Sequence, residues 1–323
     1  MRRFILLVVI TLGVALLFAA TPSYAQDDPD DEAERDFVGS RLCMGCHRDA
    51  GPAHMESRHA LTLSAGPDDD AILGDFSQES DALTVQLPGE ETPRAVALED
   101  IAYAIGTGRY MQAYAIAVEG DADDDEDAST DYIVLPFTWN TTSGAWQPYT
   151  LGDEDWPSAA YDFASECAAC HVTGYDVDEG AWLEDGVQCE SCHGPGSDHI
   201  AVVRSRDASP EDISASIVLS PDSAICGACH SQGESADGHP FPVDYVPGSD
   251  LLDGYSLVPP DDEAHWWASG HASQKYMQFN EWLNSTHATS LEGLRSSPRA
   301  EDACLVCHSA DGAWALVAAE DED

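Results

Sequence analysis

Basic residues are scarce in this chain. One lysine, Lys275, and 12 arginines stand against 60 acidic residues, so the formal net charge over 323 residues is −47. Binding to nucleic acid depends on clustered lysine and arginine, and this composition therefore excludes nucleic acid as a partner. A surface with so much negative charge repels itself unless salt screens it. The balance predicts the acidic surface typical of halophile proteins, with an ordinary acidic exported protein as the alternative.

No cysteine is left over for a disulfide or a separate metal site, because all ten fall in five copies of Cys-x-x-Cys-His. We number these sites 1 to 5 in chain order: Cys43/Cys46/His47, Cys167/Cys170/His171, Cys189/Cys192/His193, Cys226/Cys229/His230 and Cys304/Cys307/His308. In c-type haem attachment the two thiols form thioethers with the haem vinyl groups, and the histidine binds the iron from one side. Zinc ribbons and redox dithiols do not require that histidine. We therefore predict five c-type haems, attached through the ten cysteines, with the five motif histidines as proximal iron ligands.

Methionine is too rare to supply the sixth ligand of each iron. Outside the export signal only Met44, Met55, Met111 and Met277 are present, so histidine is the expected ligand and low-potential, mainly bis-His haems follow. Three candidate histidines lie in a repeated Ser-x-His-Ala segment. In each copy a histidine or tryptophan ring stands five residues before the candidate, on a similar face of a predicted helix. The predicted distal ligands are His59, His199, His271 and His287, with His239 as a possible fifth, His265 as its alternative and His54 as a packing residue.

The long hydrophobic run at residues 4–20 follows Arg2 and Arg3 and precedes Ser23-Tyr24-Ala25. This pattern predicts a secretory signal peptide over residues 1–25 and an exported, periplasmic or extracellular protein. An uncleaved membrane anchor is the alternative, and it is the only membrane association expected.

The rest of the chain divides by composition. Residues 26–37 are rich in aspartate and predict a flexible leader, and residues 38–323 form the predicted pentahaem domain. Within it, residues 72–155 contain β-branched runs and turn signals that predict an inserted small β-rich module. Residues 261–291 contain good helix formers and no proline, which predicts a long helix, broken at most at Gly270. The predicted fold is a multihaem cytochrome c, in which short α-helices and irregular loops wrap round a haem stack.

Four stretches carry a resemblance to a known family: Cys167–Tyr175, Gly186–His199, Cys226–Gly233 and Tyr245–Gly248. On these, the chain resembles the cytochrome c-554-like multihaem family of exported electron carriers over most of residues 38–310. The resemblance implies closely packed haems in parallel and perpendicular pairs. Some four-haem relatives form extracellular filaments. The expected function is electron relay between a membrane donor and a periplasmic or extracellular acceptor, with redox proteins as partners and self-assembly into filaments as a further expectation.

An enzyme is the competing hypothesis. An iron without a distal ligand could reduce or oxidise a small nitrogen or sulfur compound, and the doubtful ligand His239 decides this alternative. Pentahaem nitrite reductases use a Cys-x-x-Cys-Lys site, which this chain lacks. Electron transfer without catalysis is therefore favoured.

Overall fold

The computed structural model describes residues 36–66, 71–77, 83–119, 130–153, 155–219 and 222–309. The predicted signal peptide, the leader up to residue 35 and the aspartate run at 121–127 lie outside the described residues. The side chain of Cys307 is also outside them.

An antiparallel sheet precedes site 2. Its strands are β1 (Leu63–Ala65), β4 (Ile101–Ile105), β5 (Met111–Glu119), β6 (Thr130–Val134), β7 (Phe137–Asn140) and β8 (Ala145–Pro148), and a separate hairpin joins β2 (Thr84–Val85) to β3 (Arg94–Ala95). The strand order in the sheet is β1-β4-β5-β7-β8, and β6 pairs with the second half of β5. Strands β2 to β8 fall inside the predicted 72–155 module, whereas β1, which pairs with β4, precedes it. The domain boundaries themselves stay a prediction.

The central strand β5 buries both of its faces. Successive side chains of a strand point to opposite sides, so Tyr114 and Ile116 enter one apolar cluster while Ala113 and Ala115 enter another. The second cluster also contains Ala168, which lies inside the motif of site 2. The sheet is thereby packed directly against site 2 and fixes its position.

The described residues include two 3₁₀ turns, Leu98–Asp100 and Ala159–Tyr161, and one π-helical turn, Ala164–Ala168, which contains Cys167 of site 2. The α-helices are short as well. They are α1 (Ser40–Cys43), α2 (Ala50–Met55), α3 (Ala169–His171), α4 (Cys189–His193), α5 (Ser197–Arg204), α6 (Pro210–Ala215), α7 (Ser223–Gly227), α8 (Gln278–Leu283), α9 (Ser290–Arg295) and α10 (Asp302–His308). Two more strand pairs accompany them, β9 (Val172–Thr173) with β10 (Glu184–Asp185), and β11 (Gly233–Ser235) with β12 (Tyr255–Leu257). None of the described helices is long and apolar enough to cross a membrane.

The long helix predicted over residues 261–291 is wrong. Its first part is a tight loop, in which Trp266 bridges Ala272 and Gly270 has a φ of +84°. Asp262 accepts a hydrogen bond from the N–H of Ala264, and such short polar side chains compete with helical hydrogen bonding. Helices α8 and α9 are the only helical turns that form in this segment, all of which lies within the described residues.

The repeated Ser-x-His-Ala segments do not share one helix face either. His59 lies in a turn after α2, His271 in the 261–277 loop and His287 in the turn between α8 and α9. The helices that precede His59 and His287 end at Met55 and Leu283, before the repeat begins. The structure therefore agrees with the predicted short helices and small sheets. The wrapping of the chain round a haem stack stays a prediction.

Candidate haem-binding site

Each motif lies on a helical turn that brings its two cysteines together. In site 1 the N–H of His47 donates to Cys43 O over 2.9 Å, and in site 4 the N–H of His230 donates to Cys226 O over the same distance. Sites 3 and 5 lie on α4 and α10. Residues three or four apart on a helix share a face, so both thiols point to one side and the histidine follows on the same turn. The described cysteines form no disulfides. Within the described residues, no group of three or more histidine, cysteine, aspartate or glutamate side chains is arranged to hold a metal ion.

Four of the sites converge through their cysteines. Burial raises the pKa of Cys43 to about 11, and the next contribution comes from Cys189 of site 3. Burial likewise raises the pKa of Cys192, with Cys226 and Cys229 of site 4 as the neighbouring groups. A hydrogen bond with Cys170 of site 2 raises the pKa of Cys229. Site 1 therefore lies near site 3, site 3 near site 4, and site 4 near site 2.

Cys46, predicted as the second haem-attaching thiol of site 1, is exposed, whereas Cys43 of the same motif is partly buried. Cys226 of site 4 is exposed as well. Cys46 lies on the turn after α1, where residues 45–50 are all at the surface and the N–H of Cys46 donates to Cys43 O over 3.1 Å. Thioether attachment at Cys46 therefore stays a prediction of the motif, at the solvent-facing edge of site 1.

Two pairs of histidine rings face one another across these sites. The ring centroids of His47 and His199 lie 6.3 Å apart at an interplanar angle of 29°. Those of His59 and His230 lie 6.2 Å apart at 79°. Two imidazoles that bind one metal from opposite sides have centroids roughly 6 Å apart, because each metal–nitrogen bond is about 2 Å long. Each pair thus joins a predicted proximal ligand to a predicted distal ligand at the separation that a single iron requires.

The second ring nitrogen is held in several predicted ligands. Nδ1 of a metal-binding histidine commonly donates to an oxygen, which orients the ring and leaves Nε2 for the metal. The distances to these oxygens are 3.2 Å for His171 to Thr62 O, 2.6 Å for His193 to Val218 O, 3.0 Å for His199 to Ser216 Oγ and 2.7 Å for His271 to Glu281 Oε1. Burial also lowers the pKa of His171, which favours the neutral ring that binds metal.

His54 differs from these residues. Its Nε2 lies 3.0 Å from Val187 O, so the nitrogen that the other rings keep free is engaged with the backbone. This contact agrees with the predicted packing role of His54.

The remaining candidates have no imidazole partner among the described residues. His239 packs on Phe241 with ring centroids 5.2 Å apart, and it lies close to Glu166, the residue before Cys167. His265 Nδ1 is 3.1 Å from Asp262 Oδ2. His271 and His287 are exposed, as is His308 of site 5. The structure therefore brings two of the predicted distal ligands, His199 and His59, next to predicted proximal ligands, a pairing that the sequence did not predict. It leaves the partners of His171, His193 and His308 unassigned.

Apolar side chains beside the motifs fit a bulky apolar cofactor. Leu42 is 44% exposed next to Cys43, and Trp267 and Tyr276 are 64% and 56% exposed in the loop that carries His271. A contiguous patch of exposed apolar side chains, unlike a single one, marks a binding surface, and Trp267 and Tyr276 lie in the same loop. A porphyrin held by the neighbouring cysteines would cover such side chains, so the thiols, imidazoles and apolar surroundings together fit c-type haem.

Two residues of this region were missed by sequence reasoning. Glu190, within the motif of site 3, has a carboxylate that accepts three backbone N–H groups from outside its own helix. Its position between two haem-attaching cysteines was the available signal. Tyr276 has a φ of +57°, which is rare for a residue with a side chain, and its hydroxyl lies near Cys167 and Cys170 of site 2. Nothing in the sequence around Tyr276 pointed to this placement.

Comparison with known proteins supports the same chemistry. The protein-family model described as "Cytochrome c554 and c-prime" matches residues 147–194, which contain sites 2 and 3. The chain is also similar to the crystal structure of the outer cell wall cytochrome OcwA, with a TM-score of 0.64 and 30% sequence identity over 85% of this chain. It spans 57% of the length of that protein. No curated protein sequence matches the chain. The resemblance to cytochrome c-554-like proteins that sequence analysis identified is confirmed.

Proposed function

We propose that this protein is an exported electron carrier that relays single electrons through five covalently attached, mainly bis-His c-type haems. The relay would run between a membrane donor and a periplasmic or extracellular acceptor. The observation that carries the proposal is the pairing of His47 with His199 and of His59 with His230, each at the ring separation expected across one iron and each beside a Cys-x-x-Cys-His motif. The similarity to an outer cell wall cytochrome supports both electron transfer and export.

The chain's own residues would hold, orient and shield the haems. Haem iron supplies one-electron chemistry, because it exists as Fe(III) and Fe(II). The cysteines would attach each haem covalently, and the histidines would bind its iron. Thr62, Val218 and Ser216 hold the Nδ1 atoms of His171, His193 and His199 and so prevent the rings from rotating. Two histidines bound to each iron would leave no free position for a substrate.

The cysteine contacts indicate a route. Site 1 adjoins site 3, site 3 adjoins site 4, and site 4 adjoins site 2. In the proposed relay His199 completes site 1 and His59 completes site 4. Site 5 follows α9, against which α10 packs, and would form the C-terminal end of the relay.

Mass and spectroscopy test the relay. The purified protein should exceed the mass of its processed polypeptide by five haems, and the reduced protein should show low-spin c-type spectra that carbon monoxide leaves unchanged. A colourless protein, or one without added mass, would overturn the proposal as a whole. A carbon monoxide shift equivalent to one haem would show an open iron and would favour the enzyme hypothesis instead.

One observation favours that second hypothesis at site 2. Two tyrosines, Tyr149 and Tyr276, lie near Cys167, and among the described residues His171, like His193, has no ring contact with another histidine. An oxidoreductase acting on a small nitrogen or sulfur compound would have its reaction centre there. Replacement of His239, the other candidate near this site, by glycine distinguishes the two functions. If His239 is the distal ligand, the H239G variant gains carbon monoxide binding; if site 2 is already open, the native protein binds carbon monoxide and H239G adds nothing.

Filament formation is part of the carrier proposal as a mode of assembly. Electron microscopy of the concentrated protein at high salt would show fibres if the subunits stack. A monodisperse monomer under the same conditions would remove the filament from the proposal and leave the relay intact.

A further inference from the structure

Glu190 is a buried carboxylate at the junction of sites 1 and 3. Only 1% of the residue is exposed, and it lies between Cys189 and Ser191 on α4. Its oxygens accept from Val38 N at 2.9 and 3.0 Å, from Gly39 N at 2.7 Å and from Gly196 N at 2.7 Å. Among the described residues, no arginine, lysine or histidine forms an ion pair with it. Backbone N–H groups therefore stabilise a negative charge that no counter-charge cancels.

The three donors lie on the two chain segments that carry His47 and His199, the proposed axial pair of site 1. Val38 and Gly39 immediately precede α1. This helix ends at Cys43, the first residue of the site 1 motif, and His47 is the last residue of that motif. Gly196 is the N-cap of α5, the helix that carries His199. One carboxylate on the helix of site 3 thus holds both chain segments whose imidazoles face each other at 6.3 Å. A β-carbon on Gly196 would lie 3.2 Å from Glu190 Oε1, which shows how closely the backbone approaches.

The charge also acts on the surroundings of site 1. Glu190 follows Cys189 of site 3 along the chain, and its carboxylate binds the backbone of Val38 and Gly39, just before the segment that carries Cys43 of site 1. A negative charge at this position favours Fe(III) over Fe(II) in a haem attached there, because the oxidised centre carries one more positive charge. Because the carboxylate is buried, its charge is screened less than it would be in water.

We propose that Glu190 is a positioning and charge-setting residue for sites 1 and 3: it fixes His199 opposite His47 and lowers the reduction potentials of both haems. This inference rests on the proposed function, because it requires haems at both sites. Glu190 would bind no iron itself, but it would set the reduction potential at the start of the relay.

The test is the Glu190→Gln variant of the haem-loaded protein. Glutamine keeps one acceptor oxygen and removes the charge. Reduction is followed by electron paramagnetic resonance, in which the haems at sites 1 and 3 are assigned from their axial-ligand variants. We expect the reduction equilibria of these two haems to shift toward Fe(II) by about tenfold, which is about 59 mV for a one-electron couple. The charge-matched control is Glu211→Gln on exposed α6, which should leave every potential unchanged.

Glu190→Asp separates position from charge. Aspartate keeps the charge and shortens the reach, so the potentials should stay near those of the native protein while a fraction of site 1 loses His199 and binds carbon monoxide. Unchanged potentials in E190Q together with no carbon monoxide binding in E190D would overturn the inference. Failure of both variants to accumulate as five-haem protein would show a role in folding alone and would overturn it too. Absence of haem from the native protein would instead refute the proposed function.

Discussion

His54 and His59 lie five residues apart, yet their rings have different surroundings. Nε2 of His54 contacts Val187 O, whereas the ring of His59 faces His230. The pKa of His59 is lowered first by burial and then by its neighbours His230 and His54, so this ring is neutral near pH 7 and can bind a metal. Composition cannot distinguish the two residues, because the difference depends on which chain segment packs against each ring.

Substitution of these two histidines tests the axial assignment. In the His59→Gly variant, reduced protein should bind one equivalent of carbon monoxide, because the iron at site 4 loses one ligand. The matched variant His54→Gln should bind none and lose only the contact with Val187 O, a cost of about 1 kcal/mol. Carbon monoxide titration with optical detection measures both. Equal binding by the two variants would contradict the pairing of His59 with His230.

At the scale of elements, the turn before α4 connects the helix of site 3 with His171 of site 2 and with His59, the residue that faces site 4. Gly186 N donates to His171 O over 3.0 Å, and Val187 N donates to His59 O over 2.9 Å. Gly186 has a φ of +78°, and a β-carbon added there would lie 2.0 Å from Ala60 O. The turn can therefore approach the segment of His59 only because residue 186 is glycine.

Two glycine variants measure this close approach. Gly144 has a φ of +61° in a hairpin turn, and a β-carbon there meets nothing within 4 Å. Gly144→Ala should cost about 1–2 kcal/mol, the penalty of a left-handed backbone alone. Gly186→Ala should cost about 1–3 kcal/mol more, because Ala60 must also move. Denaturant unfolding gives both values, and similar losses in the two variants would contradict the packing seen at Gly186.

The element that sequence reasoning placed wrongly is the 261–291 helix. The segment does contain helix formers and aromatic residues, but outside the short helices α8 and α9 it forms loops and turns. Gln232 Nε2 donates to Lys275 O over 2.6 Å, and Phe279 N donates to His230 O over 2.9 Å. These contacts tie both ends of the 275–279 segment to site 4. Tertiary contacts outweigh helix propensity, because residues other than glycine and proline differ in propensity by at most about 0.7 kcal/mol.

At the scale of the whole molecule, the dominant property is charge. A formal net charge of −47 makes the folded chain repel itself, and the screening length falls from about 30 Å at 0.01 M salt to about 3 Å at 1 M. The melting temperature of the haem-loaded protein should therefore rise by several degrees between these concentrations of NaCl. Calorimetry measures it, with sucrose as the uncharged control for solvent exclusion. A melting temperature that falls or stays constant as NaCl increases would remove the argument for a salt-adapted surface.

Sequence alone determined what depends on neighbours along the chain. The spacing of each Cys-x-x-Cys-His motif fits within one helical turn, so the attachment chemistry follows from five residues at a time. The β-branched runs before site 2 likewise predicted strands, since alternation is a local property. Net charge required no structure at all.

The tertiary structure decided which residues meet and which stay at the surface. His199 follows the motif of site 3 and faces His47 of site 1, while His59 follows site 1 and faces His230 of site 4. Glu190 holds Val38, Gly39 and Gly196 in the same way, across chain segments that no local rule connects. The motif also gives Cys43 and Cys46 the same predicted role, and only the tertiary structure shows that Cys46 is exposed while Cys43 is partly buried. These differences depend on how the short helices pack against one another and against the sheet. Packing is a property of the whole fold, and a pattern of residues along one segment contains no information about the segment that will face it.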